Sequence, residues 1–226
     1  MRMLIQFKKD DIVRHLGLLD LQRTMQRALR RSGLPVRYSN GFNPHMVMSF
    51  ASALSSGVPG DAEILDVSLT EEVSEEQCLA AMNRVLPPSL SVSRARLVED
   101  TFPKVGAALR QAQYTLTLRG DAAARLIDVM PAFLAEEEIM ALRKSKKAET
   151  MVNIRPMLHE LTVVEDHEDR KVLNVRVSFV EAATLKPELL LNAWSAYAGT
   201  EPPSYSLRRT ALLGEVNGTA VPLMDM

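Results

Sequence analysis

Residues 37–50 hold an unusual density of side chains that can hydrogen-bond a ligand, with little formal charge. The stretch reads Arg-Tyr-Ser-Asn-Gly-Phe-Asn-Pro-His-Met-Val-Met-Ser-Phe and combines turn formers, amides, hydroxyls and His45. His45 follows a proline at the edge of a predicted loop, where a histidine either bonds a loop carbonyl or contacts a phosphate or a base. The candidate ligand contacts here are Arg37, Ser39, Asn40, Phe42, Asn43 and His45.

A set of arginines precedes this loop on a helix predicted over residues 18–32. Helical spacing places apolar residues on one face, at Leu18, Leu21, Met25, Ala28 and Leu29. At about 100° per residue, the opposite face carries Arg23, Arg27, Arg30 and Arg31. Gly33 is predicted to cap the helix and Pro35 to end it. The arginine face is either a solvated surface or an anion-recognition surface, since the guanidinium fork suits phosphate.

A second basic segment lies far downstream, between strands predicted over 139–142 and 149–154. Its cations are Arg143, Lys144, Lys146 and Lys147, and Arg155 lies just beyond them. Because the segment connects two strands, we expect it at the tip of a hairpin. A tip of this kind is either a solvated turn or a clamp on a nucleic-acid backbone.

No pattern in the sequence predicts a catalytic residue, a metal site or a cofactor. The histidines are scattered, and there is no Gly-rich phosphate loop and no nucleophile elbow. Cys78 is the only cysteine, which rules out an intrachain disulfide, an internal iron–sulfur cluster and a cysteine zinc site. We expect its thiol to be buried and inert. Asp20 and Asp66 are the carboxylates close to the motif segments, so they are the candidates if the chain is itself an enzyme.

Length and composition favour a protein with a sizeable core. The chain has 226 residues, enough for one large or two small, closely packed domains. Its formal net charge of −1 argues against a globally basic nucleic-acid binder but allows a local patch. Charged residues at positions 8–11 argue against a signal peptide, and no stretch approaches the ~20 apolar residues of a membrane span. We expect a cytoplasmic protein without a membrane partner.

The first half of the chain predicts the order strand, helix, strand, strand, helix, strand. Thr70 is the expected cap of the second helix. The predicted segments are 3–7, 18–32, 47–51, 63–69, 71–85 and 90–97. This order is that of the split βαβ, or ferredoxin-like, arrangement.

The second half has a similar rhythm. Pro131 is expected to divide one helix over 122–130 from a second helical piece reaching about 136. The other predicted segments are strands over 111–118, 139–142, 149–154, 160–164, 172–179 and 205–212, and a helix over 187–196 that buries Leu189, Leu190 and Trp194. We therefore predict an α+β fold of two ferredoxin-like halves, 1–104 and 105–213, followed by a loose tail, 214–226. They would form a pseudo-duplicated, largely antiparallel sheet with helices on one face and the other face, or the cleft between the halves, free for a ligand.

Two motif segments carry a resemblance to a known family. They are Arg-Ala-Leu-Arg-Arg-Ser-Gly-Leu-Pro at 27–35 and Tyr-Ser-Asn-Gly-Phe-Asn-Pro-His at 38–45. The chain resembles the radical SAM-associated domain of unknown function, also called the radical SAM-linked family, and the likeness continues through 63–67 and 153–156. Leu18 stands where that family usually has a histidine, and Asn153 where many members have an aspartate. The resemblance implies a radical SAM enzyme of corrinoid type as a protein partner.

A second resemblance concerns the fold. The order of elements is similar to that of tRNA pseudouridine synthases, whose Leu-Asn-x-x-Leu-Pro run resembles Met-Asn-Arg-Val-Leu-Pro at 82–87, with Tyr114 on a suitable strand. Aligning His45 with the histidine of the synthase loop places Gly41 at the position of the catalytic aspartate. Glycine can be neither nucleophile nor base, so this likeness implies an RNA-binding scaffold without the synthase chemistry.

The interpretation that joins these observations is a non-catalytic RNA-binding or substrate-presenting partner of a radical SAM modification enzyme. It expects the arginine face, the loop after it and the basic hairpin to line one concave surface. Two alternatives stay open: an RNA-modifying enzyme in its own right, and a protein-interaction module that recognises only the radical SAM partner.

Overall fold

The computed structural model describes residues 1–144, 149–180 and 183–226. The chain divides into two compact units. Unit 1 comprises residues 1–109 and 209–226, and unit 2 comprises residues 110–208. The predicted boundary at 104/105 therefore lies five residues before the observed one, and the C-terminal segment belongs to unit 1.

Helices and strands alternate along the chain. Residues 1–109 form β1 (Arg2–Lys9), α1 (Leu18–Ser32), β2 (Met48–Phe50), β3 (Gly60–Ser68), α2 (Glu75–Val85), β4 (Val92–Val98) and the short α3 (Val105–Ala108). The later residues form β5 (Gln111–Arg119), α4 (Asp121–Ala135), β6 (Met140–Lys144), β7 (Glu149–Asn153), β8 (Leu158–Asp166), β9 (Arg170–Ser178), α5 (Pro187–Ala198), β10 (Ser204–Val216) and β11 (Thr219–Pro222).

In unit 1 the strands lie in the order β4-β1-β3-β2, and these neighbours pair antiparallel. Helices α1 and α2 pack on one face of this sheet. Alternate residues of β1 and β3 point towards them and form a buried core with Met25 and Leu29 of α1 and Met82 of α2. The apolar side chains that recur every second residue in the strands therefore pack against those that recur every 3.6 residues in the helices, and together they form one apolar layer.

The helix α1 has the bounds that the sequence predicts. Gly33 ends it in the left-handed conformation, with φ at 77°, where a Cβ would be strained. Leu21 and Met25 are buried as expected, but Leu18, in the first turn, is 40% exposed. Leu18 therefore does not join the core cluster that Leu21 belongs to.

The second helix begins later than expected. We predicted a start at 71 with Thr70 as cap, whereas α2 begins at Glu75 and is capped by Ser74. The Ser74 hydroxyl accepts the Gln77 backbone N–H at 3.1 Å, and the Gln77 side chain accepts the Ser74 N–H at 3.1 Å. This capping box satisfies two otherwise orphan donors. The Thr70 hydroxyl instead donates to the Pro35 carbonyl at 3.2 Å.

The second face of the unit 1 sheet is covered in part, which corrects the expectation of a free face. Arg2 is buried, and its guanidinium donates to Asp66 at 3.0 Å and to the carbonyls of Phe102 and Pro103 at 2.6 and 2.9 Å. The segment after β4 therefore lies over this end of β1. Asp66 is 4% exposed.

A second buried charge cluster joins β1, β3 and β10. Arg209 donates from Nε to Glu63 Oε1 at 2.8 Å, and both side chains are almost fully buried. Lys9 is also buried and donates from Nζ to the Arg14 carbonyl at 2.8 Å. Burial lowers the pKa of Lys9, Glu63 opposes this shift and Arg209 adds to it.

The C-terminal segment is ordered, so the prediction of a loose tail is wrong. Strand β10 continues to Val216, β11 pairs with it antiparallel, and a 3-10 turn follows at Leu223–Asp225. Leu223 and Met224 are each about 1% exposed. Burial of these apolar side chains stabilises a segment that shows no strong strand pattern of its own.

In unit 2 the strands lie in the order β10-β5-β9-β8. Without the hairpin β6–β7, the elements of unit 2 follow one another as β5, α4, β8, β9, α5 and β10. This succession of strands and helices is the same as in unit 1, and the order of the strands in the sheet is also the same. The hairpin β6–β7 forms a separate two-stranded sheet between α4 and β8. Alternate residues of β5, from Ala112 to Leu118, are buried, and the residues between them are half-buried and polar.

Helix α4 runs without a break from Asp121 to Ala135, with Pro131 inside it. The predicted division at Pro131 is therefore wrong. Phe133, beyond the proline, stacks on Trp194 of α5 at 6.0 Å between ring centroids and meets Tyr197 edge-on at 5.4 Å. This aromatic packing offsets the ~3 kcal/mol that proline costs inside a helix.

Helix α5 buries Leu190, Leu191 and Trp194. Leu189, which we expected in the core, is only half-buried. None of the helices in the described part of the chain combines the length and apolar character needed to cross a bilayer.

Candidate nucleic-acid interface

The arginine face of α1 exists as the sequence predicts. Met25, Ala28 and Leu29 are buried against the unit 1 sheet, which directs the opposite face of the helix outwards. The arginines on that face are all exposed: Arg23, Arg27, Arg30 and Arg31.

These arginines differ in what they contact. Arg23 lies 3.4 Å from the Asp20 carboxylate, one turn earlier, and both side chains are well exposed. Arg31 donates from Nη2 to the Val85 carbonyl at 3.0 Å. Within the described ranges of the chain, Arg27 and Arg30 have no carboxylate or carbonyl partner. Two guanidinium groups are thus available to an external anion.

One further arginine, Arg84 of α2, contacts the end of α1, although the sequence pattern did not single it out. Arg84 of α2 donates from Nη2 to the Ser32 carbonyl at 3.3 Å, so Arg84 and Arg31 cross-link the C-terminal ends of α1 and α2. Cations suit these positions because carbonyls at helix ends lack intrahelical partners. The cue in the sequence was the placement of both arginines in a last helical turn.

The loop after α1 is closed by backbone pairing. Val47 N–H donates to the Arg37 carbonyl at 2.9 Å, and Ser39 N–H donates to the His45 carbonyl at 2.8 Å. Residues 40–44 form the turn between these paired segments. Gly41 has a φ of 124°, a conformation that a side chain at this position would strain.

His45 does not bond a loop carbonyl through its ring. Its Nδ1 lies 2.8 Å from the Ser39 hydroxyl, and the same hydroxyl accepts the His45 backbone N–H at 3.1 Å. The side chain is exposed. The inner ring nitrogen is thus engaged within the loop, which leaves Nε2 for an external contact.

Phe42 stands fully exposed at the tip of this loop, and Tyr38 at its base is 43% exposed. An unpacked aromatic ring is available for stacking on a base. Asn40, two residues before Phe42, and Asn43, directly after it, are also exposed.

Arg37 is exposed beside the loop and lies 3.9 Å from an Asp100 carboxylate oxygen. The pKa of Asp100 is lowered mainly by its hydrogen bond with the N-terminal ammonium group, with smaller contributions from Arg37 and Arg2. At that distance the pair is loose, and an exposed pair of this kind is worth little. Arg37 can therefore exchange Asp100 for an external anion.

Strands β6 and β7 pair as a hairpin, as predicted, and Arg143 and Lys144 lie at the end of β6. Arg143 pairs with Thr150 and Lys144 with Glu149 across β6 and β7. Lys144 Nζ lies 3.1 Å from the Glu149 carboxylate, and both are exposed. Lys146 and Lys147 lie outside the described residues. Arg143 donates from Nη2 to the Thr184 carbonyl at 2.9 Å, so this guanidinium is partly engaged within unit 2.

Asn153 and Arg155 have structural contacts at the base of the same hairpin. Asn153 Oδ1 accepts the backbone N–H groups of Ile139 and Arg155, each at 3.0 Å. An amide oxygen fills this role as a carboxylate would. Arg155 donates from Nη1 to the Leu158 carbonyl at 3.4 Å.

Both carboxylates considered for catalysis pair with arginines. Asp66 is buried and bound to Arg2, and Asp20 is exposed beside Arg23. Among the described residues, no group of three or more histidine, cysteine or acidic side chains could hold a metal ion. Cys78 is buried, as predicted, and this burial raises the pKa of its thiol to about 12.

The architecture is α+β with mostly antiparallel strands, and its fold is similar to that of the pseudouridine synthases. A chain of a Cbf5–Nop10–Gar1 complex matches 93% of this chain at 16% identity, with a TM-score of 0.55. A chain of an H/ACA RNP bound to a substrate RNA containing 2′-deoxyuridine matches 93% at 15% identity, with a TM-score of 0.50. The match spans about half the length of each of these two chains, 48% and 47%.

The chain also matches the sequence model of one protein family. Residues 2–187 match the family model DUF2344, described as an uncharacterized protein conserved in bacteria, and the chain belongs to this family. No curated protein is detectably similar to the sequence.

Proposed function

We propose that this chain is a non-catalytic RNA-binding protein that presents RNA to a radical SAM modification enzyme. The observation that carries the RNA-binding part is the exposed arginine face of α1, on which Arg27 and Arg30 have no acidic partner in the described part of the chain. Arginine recognises phosphate through paired N–H groups. The fold likeness to proteins of RNA-containing complexes supports the choice of RNA as the anion.

The loop after α1 contributes contacts to a nucleotide. Arg37 and the outward Nε2 of His45 reach a phosphate or a base edge, and Phe42 stacks on an unpaired base. Ser39 orients His45, and Asn40 and Asn43 add amide groups for base edges.

The hairpin β6–β7 contributes a further contact to the RNA backbone. Lys144 is exposed there, and Lys146 and Lys147 add charge beside it in the sequence. Arg143 and Arg155 support the hairpin through carbonyls of the same unit and offer their remaining N–H groups. Arg23 and Arg31 add to the positive field of α1.

The partner and the absence of catalysis rest on separate grounds. A radical SAM enzyme as partner rests on the motif segments at 27–35 and 38–45. The iron–sulfur cluster of a radical SAM enzyme needs several cysteine ligands. This chain has a single cysteine and cannot hold such a cluster by itself. Gly41 in place of a catalytic aspartate, the buried pairing of Asp66 and the exposed position of Asp20 support a non-catalytic role.

We also infer that each unit is a ferredoxin-like half. The support is the common order of elements, with the strand order 4-1-3-2 in unit 1 and again in unit 2. A duplicated scaffold of this kind offers loops at equivalent positions, and in unit 1 the loop between the first helix and the second strand carries Phe42 and His45.

Binding to total tRNA and to rRNA fragments, measured against salt concentration, tests the proposal. We expect the Arg27→Glu/Arg30→Glu variant to weaken binding by at least roughly tenfold. The slope of log K against log salt should decrease by roughly 1.4 to 1.8 for two lost phosphate contacts.

The matched control is Lys104→Glu/Arg119→Glu, which makes the same charge change at two exposed cations away from the proposed contacts. Its binding should stay close to that of the wild type. Binding that does not depend on salt, or that both variants weaken equally, would remove the proposal. Capture of the radical SAM enzyme by a chain that binds no RNA would favour the protein-interaction alternative.

A further inference from the structure

A cavity of about 500 Å³ lies in unit 2, where β6 faces the beginning of α5. Arg143 and Lys144 line it from the hairpin, and Lys186, Leu189 and Asn192 line it from the helix and the residue before it. The volume falls within the ~300–1,000 Å³ of small-ligand sites.

The charged groups of the cavity favour an anion. Arg143, Lys144 and Lys186 line the cavity as cations and Glu188 lines it as an acid. Lys144 also pairs with the Glu149 carboxylate at 3.1 Å, an exposed ion pair that an anionic ligand can replace. Arg143 is held in place by its bond to the Thr184 carbonyl at 2.9 Å. One cation is thus fixed at the cavity, and the lysines can move towards a ligand.

The other lining groups favour an anion that carries a flat, partly apolar body. Leu142 and Leu189 supply apolar surface from the two sides, and both are incompletely buried. The Asn192 amide offers donors and an acceptor together, as needed to pair with a base edge. Inorganic phosphate would leave this apolar surface without a contact.

We infer that this cavity binds one nucleoside phosphate, with the phosphate at Lys144 and Lys186 and the base against Leu142 and Leu189. The inference rests on the proposed RNA-binding function for the source of the ligand, an unpaired nucleotide of the bound RNA. The same chemistry would also accept a free nucleotide, and the experiment separates the two sources.

The probes are the four 5′-nucleoside monophosphates, inorganic phosphate and the unphosphorylated nucleosides, titrated into the full chain and followed by NMR chemical shifts. We expect the monophosphates to bind more tightly than either part alone. The Lys186→Glu variant should weaken them by at least roughly tenfold. This substitution puts an acid before the first turn of α5, where it suits the helix dipole, so the fold should be kept.

Two further variants make the result specific. Leu142→Trp fills the cavity without a change of charge and should weaken monophosphate binding as well. Arg119→Glu makes a charge reversal at an exposed cation elsewhere in unit 2 and should leave binding unchanged. Circular dichroism of each variant checks that the fold is kept.

The outcomes separate this inference from the RNA-binding proposal. Monophosphate binding that Lys186→Glu and Leu142→Trp abolish, in a chain that binds no RNA, would support the cavity as a free-nucleotide site and remove the RNA proposal. Salt-dependent RNA binding together with no monophosphate binding, or with equal binding of inorganic phosphate, would overturn the cavity inference alone. Equal effects of Arg119→Glu and Lys186→Glu would also overturn it.

Discussion

The Ser39 hydroxyl and the His45 imidazole form a closed pair within one loop. The hydroxyl oxygen accepts the backbone N–H of His45 at 3.1 Å and lies 2.8 Å from Nδ1 of the same residue. Since that oxygen already accepts the backbone N–H, we expect its own proton to be donated to Nδ1. The neutral ring then carries its proton on Nε2, and the loop presents a hydrogen-bond donor to solvent.

This geometry predicts the tautomer of His45. Long-range ¹H–¹⁵N NMR of the wild type at a pH where the ring is neutral should show Nδ1 unprotonated and Nε2 protonated. Ser39→Ala should give a mixture of tautomers and weaken RNA binding about fivefold, which corresponds to about 1 kcal/mol for one neutral hydrogen bond. A wild-type ring protonated on Nδ1 would contradict the assignment.

The observed start of α2 predicts unequal effects of two hydroxyl substitutions. Ser74→Ala removes the capping box and should lower the free energy of unfolding by about 1 kcal/mol. Thr70→Ala removes a hydroxyl that lies outside the helix and bonds Pro35, so it should cost less. Urea titrations of both variants measure the difference. A larger loss of unfolding free energy for Thr70→Ala than for Ser74→Ala would contradict the assignment of Ser74 as the cap.

Buried Lys9 predicts a dependence of stability on alkaline pH. Burial holds the folded-state pKa of Lys9 below its unfolded value of 10.5, so between these two values the unfolded chain binds the extra proton. Stability attributable to this group therefore rises with pH across that window. The unfolding free energy of the wild type, minus that of Lys9→Met, should increase as pH approaches 10.5.

The matched control for this measurement is Lys104→Met, which removes an exposed lysine. Its difference from the wild type should stay nearly constant over the same pH range. A constant difference for Lys9→Met as well would show that Lys9 titrates alike in the folded and unfolded chains.

Cys78 predicts slow thiol chemistry in the folded protein. Burial raises its pKa to about 12, so almost no thiolate is present at pH 8, and reagents also lack access. Labelling with an aromatic disulfide reagent should be far slower than for the urea-unfolded chain, and the rate should increase with urea as the protein opens. Rapid stoichiometric labelling of the native protein would be inconsistent with this burial.

The sequence by itself determined the elements whose signals are local. Periodic leucines and methionines, with Gly33 and Pro35 at the end, define α1 within its observed bounds. Alternating apolar residues define β5 and β9, and the basic run between two short apolar runs predicts the hairpin β6–β7. In each case a few neighbouring residues carry the information, because backbone geometry sets the period.

Other features depended on partners distant in the sequence. Thr70 is a good cap by type, but its hydroxyl bonds the Pro35 carbonyl, 35 positions earlier in the sequence. The true cap is local, since Ser74 and Gln77 form a capping box over three positions, and that spacing was a cue in the sequence. Pro131 is a helix breaker by type, but Phe133 packs on Trp194 and the helix continues. Local propensities of about 1–3 kcal/mol are smaller than the packing terms that oppose them.

The buried charges show most clearly what only the tertiary structure decided. Arg209 finds Glu63 across 146 positions of sequence, and Arg2 finds Asp66 across 64. Lys9 does continue the alternation of Met3, Ile5 and Phe7, which was a cue to its burial. Nothing local identified the partners, because a charge can be buried only where the folded chain brings an opposite charge or a carbonyl to it.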